Sequence, residues 1–304
     1  MKSKIWLLTI VVFPLLFSGC DYIDAPYTIP GPNGCTVAQP TFVPRTNPVK
    51  KVLVEDVTGH RCGNCPRAAE TIIQLATTYG NQVVPVALHS SLSGAFTEIL
   101  STDTNINPEQ KYTYDFRTSL ATDIDGTTTF GASSAGLPNG FVNRRDNGSG
   151  NRFVGYSTWS NRVAAELSTP QLVDIQLKNF WNPADNSICS FYYVKALADL
   201  PSNYKICLFL VENDIEGWQK DYSLADPDIE HYFHEHVLRA SFNGVWGTAL
   251  NSGSSLVNGG EYIDGFSVTI DPAKWNIDNL HVVAFVFDGT NREVLQAEDV
   301  KVTP

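Results

Sequence analysis

Positive charge is scarce in this sequence: 21 Lys and Arg stand against 32 Asp and Glu, a formal net charge of −11. Proteins that grip a phosphate backbone need a basic stripe, so nucleic acid is excluded as a partner. Long hydrophobic runs are equally scarce. The most extended one, Ile5 to Phe17, has about 13 residues against the roughly 20 a helix needs to cross a bilayer, and Pro14 interrupts it. Zinc-binding order is missing too. His231, His234, Glu235 and His236 follow neither the His-Glu-x-x-His pattern nor its inverse, so no metal and no cofactor is expected. Charged residues make up only 17% of the chain and hydrophobic ones 43%, which excludes disorder as the main state and leaves enough apolar surface for a core. A length of 304 residues fits about two domains.

What is present begins with an address. Lys2 and Lys4 precede the apolar run, and Ser18-Gly19-Cys20 follows it. This resembles a lipoprotein signal peptide, residues 1–19, whose removal leaves Cys20 as a new N-terminus able to carry lipid, although Phe17 stands where bacterial lipoproteins usually have Leu. The remaining chain has 19 Lys and Arg against 32 Asp and Glu, or −13. Acyl chains contribute about 0.8 kcal/mol per buried CH₂, so a multiply acylated Cys20 would hold the protein at a membrane. Residues 20–48 carry Pro26, Pro30, Pro32, Pro40, Pro44 and Pro48 and read as a stiff spacer, extending about 3.1 Å per residue in polyproline geometry. Five cysteines remain beyond Cys20, an odd number. An envelope compartment permits disulfides, and Cys35 in the spacer is the one expected to stay unpaired.

Residues 49–169 form the first expected domain. Lys51 to Val57 is a β-branched run, and Thr58-Gly59-His60-Arg61-Cys62-Gly63-Asn64-Cys65-Pro66 follows it. Ala68, Ala69, Ile72, Ile73, Leu75, Ala76 and Tyr79 then recur at helical steps until Gly80, with Pro66 tolerated in the first turn. Val83 to Leu88 reads as a second strand, at an edge or with a bulge because Pro85 lacks a donor. The Cys-x-x-Cys therefore opens a helix inside a βαβ unit. Free N–H groups at a helix start stabilise a thiolate, which is the species that attacks disulfides. Arg61, and His60 when protonated, add positive charge. Residues 90–135 read as an insertion with a helical pattern at Tyr112, Phe116 and Leu120, and Ser157 is positioned to cap a helix carrying Trp159, Val163 and Leu167.

These residues resemble the thioredoxin superfamily, whose redox pair occupies this turn. The resemblance implies Cys62 as nucleophile and Cys65 as resolving thiol. It also implies a carboxylate six residues before the first Cys that assists proton transfer. Asp56 has that spacing, with Glu55 as its neighbour; sequence leaves open which of them points toward Cys65. A cis-proline opposite the pair is implied as well, and Leu137-Pro138 is the candidate. Arg61 departs from the usual aromatic residue, and Gly63-Asn64 matches no familiar redox subgroup, which leaves the direction of electron flow open. The exchange reading needs Cys62 at a helix terminus and accessible. A structural Cys62–Cys65 disulfide is its competitor.

From residue 170 to 304 the texture changes. Val173, Ile175 and Leu177 alternate with Asp174, Gln176 and Lys178, giving one buried and one wet face. Strand-like runs follow at 188–198, 206–211, 266–270, 282–287 and 293–302, an all-β sandwich for which immunoglobulin-like topology is the guess. Cys189 and Cys207 lie in successive strands, either as a disulfide or as two buried thiols. Residues 212–262, with Trp218 and Trp246, read as a long irregular segment of the kind that carries binding. The layout as a whole resembles the Omp28-related outer-membrane lipoproteins of Bacteroidetes. Ser18 to Cys20, Glu55 to Gly59, Cys62 to Pro66, Pro138 to Arg144, and His234 to Gly244 carry that resemblance. It implies a lipid-anchored outer-membrane protein facing either the periplasm or the cell surface. Two functions stand open: thiol–disulfide exchange on envelope or surface protein clients, or non-enzymatic binding and adhesion with the thioredoxin-like part as scaffold.

Overall fold

Alternation sends Val52, Val54 and Asp56 to one face of strand β1, Val52–Val57, and Leu53, Glu55 and Val57 to the other. In the computed structural model, which describes residues 34–303, both faces are covered and all six residues are buried. The expected signal segment and Cys20 lie outside the described residues. Helix α1, Cys65–Tyr79, covers the first face with Ala68, Ile72 and Leu75, joined by Trp159 and Val163 of a later helix. Each such large apolar side chain contributes about 1.5–3 kcal/mol when fully buried. Gly80, at φ 58°, ends the helix and turns the chain into β2, Val83–Leu88, which runs parallel to β1 from Val52↔Val83 to Val57↔Leu88.

The segment expected to form a helix at Tyr112, Phe116 and Leu120 does so only at its end. Tyr112 sits at φ 54°, and Tyr112 and Phe116 turn inward from a loop. Helix α2, Ser119–Asp125, starts after Thr118, whose hydroxyl caps the Ala121 N–H. Strand β3, Asn139–Val142, then pairs antiparallel with β1, and β4, Val154–Gly155, pairs with β3. Helix α3, Trp159–Leu167, is led in by a short 3₁₀ turn over Tyr156–Thr158. Thr158, without a capping side-chain bond, holds the cap position that Ser157 was expected to fill.

The C-terminal half is β-rich. Strands β5, Val173–Asn182, and β6, Ser187–Ala196, form a three-stranded sheet with β12, Glu261–Thr269. It packs face to face on β7, Tyr204–Glu212, β13, Leu280–Asp288, and β14, Val294–Lys301, through Ile175, Tyr192, Leu208, Val282 and their neighbours. The opposite face of β7 and β13 brings Phe209, Val283 and Phe285 against Leu53, Val57, Val86 and Leu88. That contact covers the second face of β1. Strand β10, Val237–Ser241, bridges the halves: it pairs with β7 and touches β2 at Val237↔Ala87, so β1 to β4 share one sheet with β7, β10, β13 and β14 in the order β14-β13-β7-β10-β2-β1-β3-β4, and the short β11, Thr248–Ala249, pairs with β7. Because β10 meets β2 only at Ala87, the flank beside Pro85 is open and its missing N–H costs no ladder bond.

Two expectations about the spacer and cysteines are corrected. From residue 34 the chain is a strap across the outer face of β5 and β6, where Val37, Phe42, Phe180, Phe191 and Tyr193 pack together. Lys178 Nζ donates to Thr41 O at 2.8 Å, Gln176 Nε2 to Val43 O at 3.1 Å, and Arg45 binds Asp174 at 3.0 Å and Glu298 at 2.8 Å. The face expected to be wet is therefore largely covered, and Asp174 is buried. Cys35, expected to be free, forms a disulfide with Cys189. Cys189 faces the strap while Cys207 faces the core shared with β1, so those two cannot meet. Cys207 is the free thiol among the described residues, and burial pushes it up to about 12.

Candidate redox site

The end of β1 leads into a tight turn. The Thr58 N–H donates to Leu88 O at 3.1 Å, Arg61 N–H to Phe96 O at 3.0 Å, Cys62 N–H to Gly59 O at 2.9 Å and Cys65 N–H to Cys62 O at 3.1 Å. These bonds set Cys62 just ahead of α1 and Cys65 as its first residue, with no side chain capping the helix start. The two cysteines are joined in a disulfide. Both are buried, at 1% and 2% exposure, where the sequence reading required an accessible Cys62.

Strand alternation settles the two carboxylates. Asp56 shares the α1 face of β1 and lines a cavity with Cys65, Pro66, Ile72, Pro85, His89 and His234. Its Oδ1 has no hydrogen-bond partner, and burial raises the carboxyl from its ordinary 3.8 to about 8. Glu55 points the other way into a buried pair with Arg144, Nε to Oε2 at 2.7 Å. Pro138 follows a cis peptide bond and precedes β3, whose Asn139 pairs with Val57, the last residue of β1.

Of the two positive charges expected near Cys62, that of His60 is absent. His60 is buried with neither ring nitrogen partnered, and burial, then the Arg61 charge, lowers it to about 4. It is neutral at pH 7. Arg61 directs its guanidinium to Glu98, 3.6 Å from the carboxylate and 3.2 Å from the carbonyl. In place of a charged rim there is an aromatic one: the Phe116 ring lies 5.5 Å from His60, 5.0 Å from His89 and 4.2 Å from His234. Burial lowers His234 to about 3 and takes His89 well below 6.5. Among the described residues no group of three or more His, Cys, Asp or Glu is arranged to hold a metal ion.

What covers the disulfide is a hairpin that sequence reading missed. Strands β8, Ile215–Lys220, and β9, Asp228–His234, form a two-stranded sheet within the segment expected to be irregular. Gln219 Nε2 donates to Cys62 O at 3.2 Å, the Lys220 N–H to His60 O at 2.8 Å and the Tyr222 N–H to Gly63 O at 2.8 Å. The Tyr222 ring lies where a Gly63 side chain would be, so Gly63 is required by the cover itself. The available signal was Asp226-Pro227, a turn dipeptide between two runs of partial alternation. The two tryptophans of the segment are half-buried. Trp218 lies 6.1 Å from Tyr112 and under Lys111, while Arg292 and Arg144 flank Trp246.

Comparison with solved structures finds HBP35 of Porphyromonas gingivalis at 19% identity and a TM-score of 0.59, covering 85% of this chain and 77% of that one. This likeness is one of fold. A domain of the outer-membrane lipoprotein Omp28 from the same organism matches at 21% identity and a TM-score of 0.29, over 45% of this chain and 92% of that one. Among curated proteins nothing matches. The family described as outer membrane protein Omp28 matches residues 128–304, which is more than half of the chain and includes Pro138 but neither Cys62 nor Cys65. This chain therefore belongs to the Omp28 family of outer-membrane proteins.

Proposed function

We propose that this is a lipid-anchored, thioredoxin-like thiol–disulfide exchange protein of the outer membrane, attached through Cys20. Its units would be the signal 1–19, the segment 20–48 that from residue 34 is the strap, the thioredoxin-like part 49–169 and the β-sandwich 170–304. The observation that carries the reading is the Cys62–Cys65 pair at the start of α1, with the Asp56 carboxyl in the same cavity as Cys65. The order β2-β1-β3-β4, with β1 and β2 parallel and β3 antiparallel, supports the thioredoxin-like assignment. Face-to-face packing of β5, β6 and β12 on β7, β13 and β14 is the support for the immunoglobulin-like one.

In the reducing direction the Cys62 thiolate attacks one sulfur of a client disulfide. That S–S bond breaks, and the other client sulfur leaves as a thiolate and takes a proton. The ionised fraction of Asp56 accepts the Cys65 proton, the Cys65 thiolate attacks the Cys62–client bond, and the departing client sulfur takes that proton from Asp56. The second client thiol is released, Cys62–Cys65 is oxidised by two electrons and one client disulfide becomes two thiols. The oxidising direction is the reverse. A carboxyl with a pKa of about 8 can carry that proton at neutral pH. Replacing Cys65 with Ser tests the sequence: Cys62 should then accumulate mixed disulfides with envelope proteins. Their absence, with Cys62 reduced and exposed, would contradict exchange.

One observation favours the second reading, a binding or adhesion protein with an inert structural disulfide: both sulfurs are covered. Its signature is ligand binding that survives Cys62→Ser and Cys65→Ser.

A further inference from the structure

The hairpin does more than lie over the disulfide; it satisfies the turn that carries it. Lys220, the last residue of β8, and Tyr222, in the turn that follows it, donate to the carbonyls of His60 and Gly63 on either side of Cys62. Gln219 supplies the donor for the Cys62 carbonyl between them. A polypeptide laid beside Cys62 would find those carbonyls already taken. Hairpin and client therefore compete for one strip of backbone.

The contact is built differently at its two ends. At the base, Ile215 and His234 pair with each other and are buried, Ile215 at 8% and His234 at 5% exposure. Toward the tip, Tyr222 is 60% exposed and Leu224 49%. The tip is latched to the body by polar groups that water can replace: the Tyr112 hydroxyl donates to Asp228 at 2.6 Å and the Lys111 ammonium lies 3.3 Å from the same carboxylate, while Lys220, 3.0 Å from it, ties the two strands of the hairpin to each other. A rigid base and a solvent-competed tip are the parts of a lid.

We infer that the β8–β9 hairpin is an autoinhibitory gate over the Cys62–Cys65 pair. Closed, it withholds both sulfurs and occupies the backbone strip beside them. Open, pivoting at Ile215 and His234, it exposes Cys62 together with the carbonyls of His60, Cys62 and Gly63. The nature of the client rests on the exchange reading above, whereas the gating concerns access alone.

The test is the rate at which dithiothreitol reduces the pair in the intact protein, read by acid quench and alkylation of Cys62 and Cys65. Each turnover forms one cyclic dithiothreitol disulfide and two protein thiols. Loosening the tip with Gln219→Ala and Tyr222→Ala, or with Asp228→Asn, should raise that rate at least tenfold. A rate within twofold of wild type in well-folded variants would overturn the gate. Hydrogen exchange of the wild-type protein decides independently of any variant: the Lys220 and Tyr222 amides should exchange far faster than those of β1, and equal protection would also overturn it. An opened variant that dithiothreitol reduces quickly, yet that passes electrons to no protein disulfide, would sink the exchange reading and leave the gate in place.

Discussion

Tyr222 and Gly63 meet in two ways: the Tyr222 amide donates to the Gly63 carbonyl at 2.8 Å, and its ring occupies the space a Gly63 side chain would need. A residue from the middle of the C-terminal half thus completes a turn set between the first strand and the first helix. Alanine at position 63 would collide with that ring and lift the hairpin tip. Forced overpacking of this kind costs about 1–3 kcal/mol, and less where the neighbour can swing into solvent. Gly63→Ala should therefore become sensitive to limited proteolysis between residues 221 and 227 while α1 stays intact. Unchanged proteolysis would mean that the ring moves without the hairpin.

Asp56 makes stability depend on pH. Its folded pKa of about 8 lies above the ordinary 3.8, so the folded state holds a proton that the unfolded state has released. The stabilising effect of protonation is fully present below 3.8 and is lost as pH rises through about 8. At about 1.4 kcal/mol per pH unit the upper bound is about 6 kcal/mol. Asp56→Asn, which cannot ionise, should melt close to wild type near pH 4 and clearly above it at pH 9. Parallel melting curves across that range would refute the buried neutral acid.

The Glu55–Arg144 pair is completely buried. Arg144 Nη1 has no hydrogen-bond partner, and the guanidinium faces the rings of Phe285 at 4.9 Å and Phe130 at 5.5 Å. Removing one member strands the other charge among those rings, and such losses run to about 3–5 kcal/mol. Glu55→Gln or Arg144→Met should each cost that much in urea unfolding, and the double variant less than the sum.

The Cys35–Cys189 disulfide ties the strap to β6 across a sequence separation of 154 residues. Removing a disulfide of this kind typically costs about 2–5 kcal/mol. Cys35→Ser should expose residues 34–48 to protease, because the ties that remain are hydrogen bonds such as those of Gln176, Lys178 and Asn182, the Arg45 ion pairs and a small apolar patch. Dithiothreitol reduction of Cys62–Cys65 should keep its wild-type rate, since the strap lies on the outer face of a different sheet.

Local chemistry made much of this legible in the sequence. Period-two alternation and β-branched runs marked β1, β2, β5, β6, β7, β13 and β14, and three- and four-residue steps marked α1. The Cys-x-x-Cys announced its place at a helix start. What failed was long-range. No local signal says that the outer face of β5 will be covered, so Asp174 read as wet and Cys35 as free. Tyr112, Phe116 and Leu120 have helical spacing, yet Tyr112 and Phe116 serve a cluster with His60, His89 and His234 that draws on three distant segments. The charge of His60 could not be read for the same reason. Its environment is set by burial among residues far along the chain.

The most direct measurement mixes the fully reduced protein with a disulfide-bonded client protein and counts thiols on both after acid quench. Exchange predicts that Cys62 and Cys65 lose two thiols for every two the client gains, and that Cys62→Ser abolishes the transfer. A client that keeps its disulfide while Cys62 and Cys65 remain reduced and alkylatable would contradict the account.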